Sequence, residues 1–168
     1  MSQALRPAQR VAALVGIGGM AMALGLLLYV ADRGSTHAVL IPRVDMLSGH
    51  RLFGTLGDSL GSFVHAFAFS LFTAAAWPPR PVPAYGACAA WCAVNVAFEL
   101  GQHPQVSARL AQALSAGLGQ TTPTRALANY FVRGTFDGAD IAAAIVGALA
   151  AACVLHFLHD GRQARHAR

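Results

Sequence analysis

The chain reads as all-α: a polytopic membrane protein of four transmembrane helices, with interfacial helices in its third connection. Hydrophobic residues make up 55% of the 168 and charged residues only 11%, against about a quarter charged in a soluble domain. Mean hydropathy is +0.49. Long apolar runs, four in all, account for most of the chain, which predicts a single integral membrane domain over residues 1–168.

The first run, Val11 to Ala31, carries no charged residue. At 1.5 Å per residue, about 20 residues cross a hydrocarbon core of about 30 Å. A cleaved signal peptide also follows arginines such as Arg6 and Arg10, but its apolar region is shorter, so the run reads as a retained span over 11–31. The second run, Leu60 to Trp77, gives a span over 58–77. Pro78, Pro79 and Pro81 then stop one helix and let the next start antiparallel beside it, which predicts a tight hairpin. The third span covers 83–100 and the fourth 139–158. Between them, the connection over 101–138 contains Val106, Leu110, Ala113, Leu114 and Leu118 at helical spacing, as expected of a helix lying in the membrane interface. A second short piece, Arg125 to Arg133, carries Leu127, Tyr130 and Phe131, which fit an interfacial aromatic belt.

The net charge of +5 is due to arginine, since no lysine occurs. The arginines are scattered rather than gathered on one element, which argues against a nucleic-acid partner. They are densest in the N-terminal tail, around Arg80 and in the tail with Arg162, Arg165 and Arg168. More widely spaced are Arg33, Arg43, Arg51, Arg109, Arg125 and Arg133. That density places both termini in the cytoplasm and the 101–138 loop outside. Heavy use of Ala, Gly and Arg without Lys is compatible with a GC-rich bacterial genome.

With that orientation the ionisable groups fall at one level. Asp58, Ser62 and His65 share a face in the outer half of the second span. The third span carries Cys88, Cys92, Asn95, Glu99, Gln102 and His103 along one stripe, with its acid at the outer end. Asp137 and Asp140 open the fourth span, and the stripe from Asp140 continues as Ala144, Gly147 and Ala151, small residues that permit close helix approach. Charge at the edge of lipid is costly and marks either function or helix pairing. A ligand site and structural glue both remain open, the second because Glu99 has Arg133 and His65 as available partners. Asp58 and Asp137 lie far enough out to be solvated, and capping by the macrodipole accounts for at least one of Asp137 and Asp140.

Catalysis has little to stand on. Ser62 lies one turn from His65, but such a pair on a helix is more often packing than nucleophile and base. No His-Glu-x-x-His or comparable metal spacing occurs, so no metal and no cofactor is expected. Cys88, Cys92 and Cys153 read as small apolar residues rather than disulfide partners. His156, His159, Asp160 and His166 suit a snorkelling C-terminal interface better than a metal tract.

Glu-x-x-Gln closing one span, an Arg-bearing loop, then Asp and a Gly seven residues on in the next span resembles the VanZ-like family of bacterial membrane proteins. The positions are Glu99, Gln102, Arg133, Asp140 and Gly147, and His65-Ala66-Phe67-Ala68-Phe69 is similar to the family's early histidine with its aromatic stretch. The resemblance covers about residues 58 to 155. Gly61-Ser62 stands where the family often has Asp-Lys, and Ala144 where it has Asn. The family's founding member is associated with low-level resistance to the glycopeptide teicoplanin, so the resemblance implies a cell-envelope role in antibiotic resistance. The expected function is non-catalytic: an outward-facing polar pocket formed by His65, Glu99, Gln102, Arg133, Asp137 and Asp140 that binds an envelope lipid or glycopeptide. A small proton-coupled transporter using Glu99 and Asp140, or a structural subunit of a membrane complex, are the alternatives. Membrane lipids are the expected partners.

Overall fold

The structure, a computed structural model, describes residues 7–33, 54–77 and 80–166, with the side chains of 30–33, 54–56, 58, 81 and 160–166 outside the description. The loop with Arg43 and Arg51, the prolines Pro78 and Pro79, and the Asp58 side chain therefore lie outside the described residues. Among the described residues the chain forms six helices and no strand: α1 (Pro7–Arg33), α2 (Gly54–Ala76), α3 (Pro81–Gly101), α4 (Ser107–Leu118), α5 (Thr122–Arg133) and α6 (Gly138–His166).

Local sequence sets where these helices start and stop. Pro81 and Pro83 occupy the first turn of α3, where a missing N–H leaves no helical bond unmade. Thr121 caps α5 by accepting from the Thr124 N–H at 3.3 Å, and the Gly134 N–H closes it onto the Tyr130 carbonyl at 3.0 Å. Asp137 caps α6 through the Ala139 N–H at 2.9 Å. Gly119 ends α4 at φ 74°, a backbone state that glycine alone enters without strain.

The four long helices share one core, built from Leu14 of α1, Leu71 and Ala74 of α2, Ala84 and Cys88 of α3, and Ala148, Ala151 and Leu155 of α6. Contacts fix the directions. Gly18 meets Phe72 and Gly25 meets Val64, so α1 and α2 are antiparallel. The Trp91 indole donates to Thr73 Oγ1 at 2.8 Å and its ring stacks on Phe69 at 4.8 Å, which runs α3 back along α2. Gly147 lies against the Phe63 carbonyl, while Leu71 and Leu155 meet in the core, so α2 and α6 run parallel. The predicted stripe of Ala144, Gly147 and Ala151 is buried at that seam. Two polar side chains within the bundle bond to their own helix: Ser70 Oγ donates to the Ala66 carbonyl at 2.6 Å and Asn95 Nδ2 to the Trp91 carbonyl at 2.8 Å.

Among the described residues three helices, over Pro7–Tyr29, Ser59–Ala76 and Gly138–His159, are long and apolar enough to cross a membrane. Only 11% of the α1 window is buried, and Met20, Leu24, Leu26 and Leu27 are more than half exposed. An apolar face of that extent suits lipid, not water. The sequence predicts four spans, and α3 is the one that does not reach the same standard. Its 21 residues suffice in length, but Asn95, Glu99, Tyr85, Pro83 and Gly86 dilute its apolar content. The expected interfacial pieces form α4 and α5, which pack on each other beside the bundle.

At the end where α2 and α3 are joined, Arg10 is 3% exposed and donates to the Ala74 carbonyl at 3.4 Å, setting a cation at the C-terminus of α2. His156 Nδ1 lies 3.4 Å from the Tyr85 hydroxyl at the same end. Cys88, Cys92 and Cys153 are free thiols, and Cys88 is buried as a small core residue.

Candidate functional site

The opposite end, where α3 finishes and α6 begins, gathers most of the residues singled out by the sequence. Glu99 sits in the last turn of α3, only 7% exposed, and its Oε1 accepts the Asp137 N–H at 2.5 Å. Asp137 is the N-cap of α6, so a carboxylate from one helix satisfies a free donor at the start of another. In a capping box the acid three residues into the same helix reaches back to the cap N–H. Here Glu99 reaches that N–H from α3.

Gln102 follows as the C-cap of α3, with its N–H on the Glu99 carbonyl at 3.0 Å and the next N–H, of His103, on the Leu100 carbonyl at 3.1 Å. Its side chain is buried against Gly134, so closely that a Cβ there would collide with the Gln102 amide. It is also within hydrogen-bonding reach of the Tyr130 phenol. Gly101 serves the same end, since a Cβ at that position would meet Phe131 Cε1 at 2.6 Å. Phe131 fills the space that glycine leaves, and Phe98 lies beside it, its ring tilted by 38° with centroids 5.5 Å apart. The belt expected for the aromatics of α5 therefore fits Tyr130, which is 49% exposed, and not Phe131 at 6%.

Asp140 is half-buried in the first turn of α6, its N–H bonded to the Asp137 carbonyl at 3.1 Å. Both aspartates lie close enough to repel the charge of Glu99. Tyr130, on α5, has its phenol held above the ordinary tyrosine range, first by burial and then by the negative charge of Glu99. Arg133, one turn from Tyr130, is exposed and makes no hydrogen bond or ion pair with the described residues. Arg125 folds back onto the Gln120 carbonyl through Nε at 3.2 Å and Nη2 at 3.0 Å. Around these charges the cap exposes Val106, Leu118, Tyr130, Val132 and Phe136.

His65 stands apart from this cluster. Neighbouring residues on α2 are turned about 100° from each other, and Phe63 faces α6 while Val64 faces α1. His65 is consequently left exposed, with its ring stacked on Phe69 at 5.7 Å and no hydrogen bond to Glu99 or Ser62. The structure thus brings together Glu99, Gln102, Asp137 and Asp140, leaves Arg133 exposed one turn of α5 from Tyr130, and puts His65 on a groove between α1 and α2. Tyr130 is the member that sequence reasoning assigned elsewhere; the glycines Gly101 and Gly134 flanking the cluster were the available signal. No family model, curated protein or solved structure matches the chain.

Proposed function

We propose that this is a non-catalytic, four-span protein of the bacterial inner membrane, with both termini cytoplasmic, that binds an envelope amphiphile on its outer cap. Helix direction supports the fourth span. Since α2 and α6 run parallel, a chain that crosses on both must return between them, and α3 is the long helix that runs back. At about 31 Å by its rise, α3 is long enough to do so.

The observation that carries the binding proposal is the exposed Arg133 set among exposed Tyr130, Val132 and Phe136. An anionic head group suits the guanidinium, and the apolar part of the same molecule suits its neighbours. Glu99, Gln102 and Asp137 hold this surface together through the α6 cap. The resemblance of Glu99, Gln102, Arg133, Asp140 and Gly147 to the VanZ-like motif suggests the ligand class, a lipid-linked precursor or a glycopeptide. With the protein in nanodiscs, titration with teicoplanin and with a short-chain anionic lipid tests the proposal. Arg133→Gln should weaken binding of one of them by about tenfold, the loss of one charge-assisted contact. Unchanged binding in Arg133→Gln, Glu99→Gln and Asp140→Asn proteins that still accumulate would refute it.

A second reading draws on the hydrogen bond from Asp137 to Glu99. In that reading the acids only fasten α6 to α3, and the protein is a structural subunit. Cross-linking to a stable partner, with no amphiphile bound, would favour it.

A further inference from the structure

Between α1 and α2, at the end nearer the cap, lies a groove of about 220 Å³. Glycines open it: Gly25 on one wall, Gly57 and Gly61 on the other, with Val64 packed on Gly25 at its floor and Tyr29 and His65 along its sides. Both walls belong to helices long and apolar enough to cross a membrane. The adjoining α1 surface is exposed and apolar through Leu24, Leu26 and Leu27, so the groove opens where hydrocarbon is the surrounding medium.

One polar feature breaks this lining. His65 lies seven residues into α2 from Asp58, about 10 Å along the helix axis. It has no hydrogen bond among the described residues; its contact there is the Phe69 ring. An imidazole at that depth takes a hydrogen-bonding partner from whatever fills the groove, because leaving it unbonded in hydrocarbon is costly.

We propose that the groove holds one acyl chain of a membrane phospholipid, with the ester carbonyl of that chain hydrogen-bonded to His65. The chain supplies the apolar contact missing at Gly61, where a Cβ would meet nothing within 4 Å, and the ester lies at the junction of apolar and polar parts that His65 marks. A free headgroup or a soluble anion fits neither, since the lining is apolar and its polar groups are an imidazole and a phenol. The site shares no residue with the Glu99 cluster and stands independently of the cap's ligand.

The full chain in nanodiscs containing a phospholipid with a diazirine in its acyl chain provides the test. After irradiation, label should concentrate on 22–29 and 57–65 over the equally exposed faces of α3 and α6. A Cβ on Gly61 meets nothing within 4 Å, so Gly61→Leu fills the groove without striking backbone. It should cut that labelling by about tenfold, loss of a packed chain segment. Gly86→Leu on α3, where a Cβ is equally unopposed, should leave labelling unchanged. His65→Phe keeps the groove but removes the hydrogen bond, and should lower labelling about threefold. Should Gly61→Leu fail to accumulate, His65→Phe decides alone. Label spread evenly over all exposed helices, or undiminished in both variants, overturns the proposal. So does protein-to-protein cross-linking through α1 in place of lipid label, which would assign the groove to a second copy. Arg133→Gln should not alter the labelling, which separates this result from that of the cap.

Discussion

Helix α6 is held by two contacts of opposite kind. Along its middle, Ala144, Gly147 and Ala151 present almost no side chain, and the α2 backbone at Phe63 comes directly against Gly147. At its N-cap the hold is polar: Glu99 of α3 takes the Asp137 N–H. The seam depends on shape and tolerates no added atoms. By contrast, the hold at the N-cap depends on hydrogen-bonding chemistry and should loosen before the seam does.

The seam should give the largest effect. A side chain at position 147 has backbone in its path, which cannot rotate away as a flexible side chain does. Gly147→Leu should therefore destabilise by about 3 kcal/mol or more, at the upper end of overpacking costs. Thermal unfolding in detergent would register this, and a wild-type melting profile would show that the α2–α6 contact is looser than described. Glu99→Gln should cost less, about 1 kcal/mol, since it leaves the Asp137 N–H a neutral amide oxygen in place of a carboxylate. The same unfolding measurement should rank it below Gly147→Leu, and the reverse order would invert the contrast between the two contacts.

The smallest effect is electrostatic. Burial and then the charge of Glu99 raise the Tyr130 phenol above 10.0. Because the folded value exceeds the unfolded one, the stability contributed by the neutral phenol is present below pH 10 and lost as pH rises through the raised value. In a Tyr29→Phe, Tyr85→Phe background, phenolate absorbance should titrate above 10.0. Glu99→Gln should lower the midpoint without returning it fully, since burial remains. No change on Glu99→Gln would place the two residues too far apart to interact.

Much of the bundle was legible in the sequence. Apolar runs without charge fix where α1, α2 and α6 lie, and Pro81, after Pro78 and Pro79, marks the α2–α3 turn, because such signals act over a few residues. The small-residue stripe from Asp140 also predicted the seam. What could not be read is rotation about each helix axis. Asp58, Ser62 and His65 share a helical face by spacing, but whether that face turns to α3 or α1 depends on Gly25 receiving Val64 and Gly147 receiving Phe63. Phe131 was misplaced for the same reason: its burial depends on the absent side chain of Gly101, thirty residues earlier in the chain. Glu99 and Asp140 were both singled out by their place at the ends of apolar runs, whereas the role of Glu99 in capping α6 needed the backbone geometry of Asp137.

Amide hydrogen exchange tests the separation of cap and seam most directly. In the Glu99→Gln protein, amides over 134–141 should exchange about tenfold faster than in wild type, while those over 144–155 keep their protection, as expected of a local opening. Equal acceleration along all of α6, or none at 134–141, would contradict a Glu99-held cap that opens on its own.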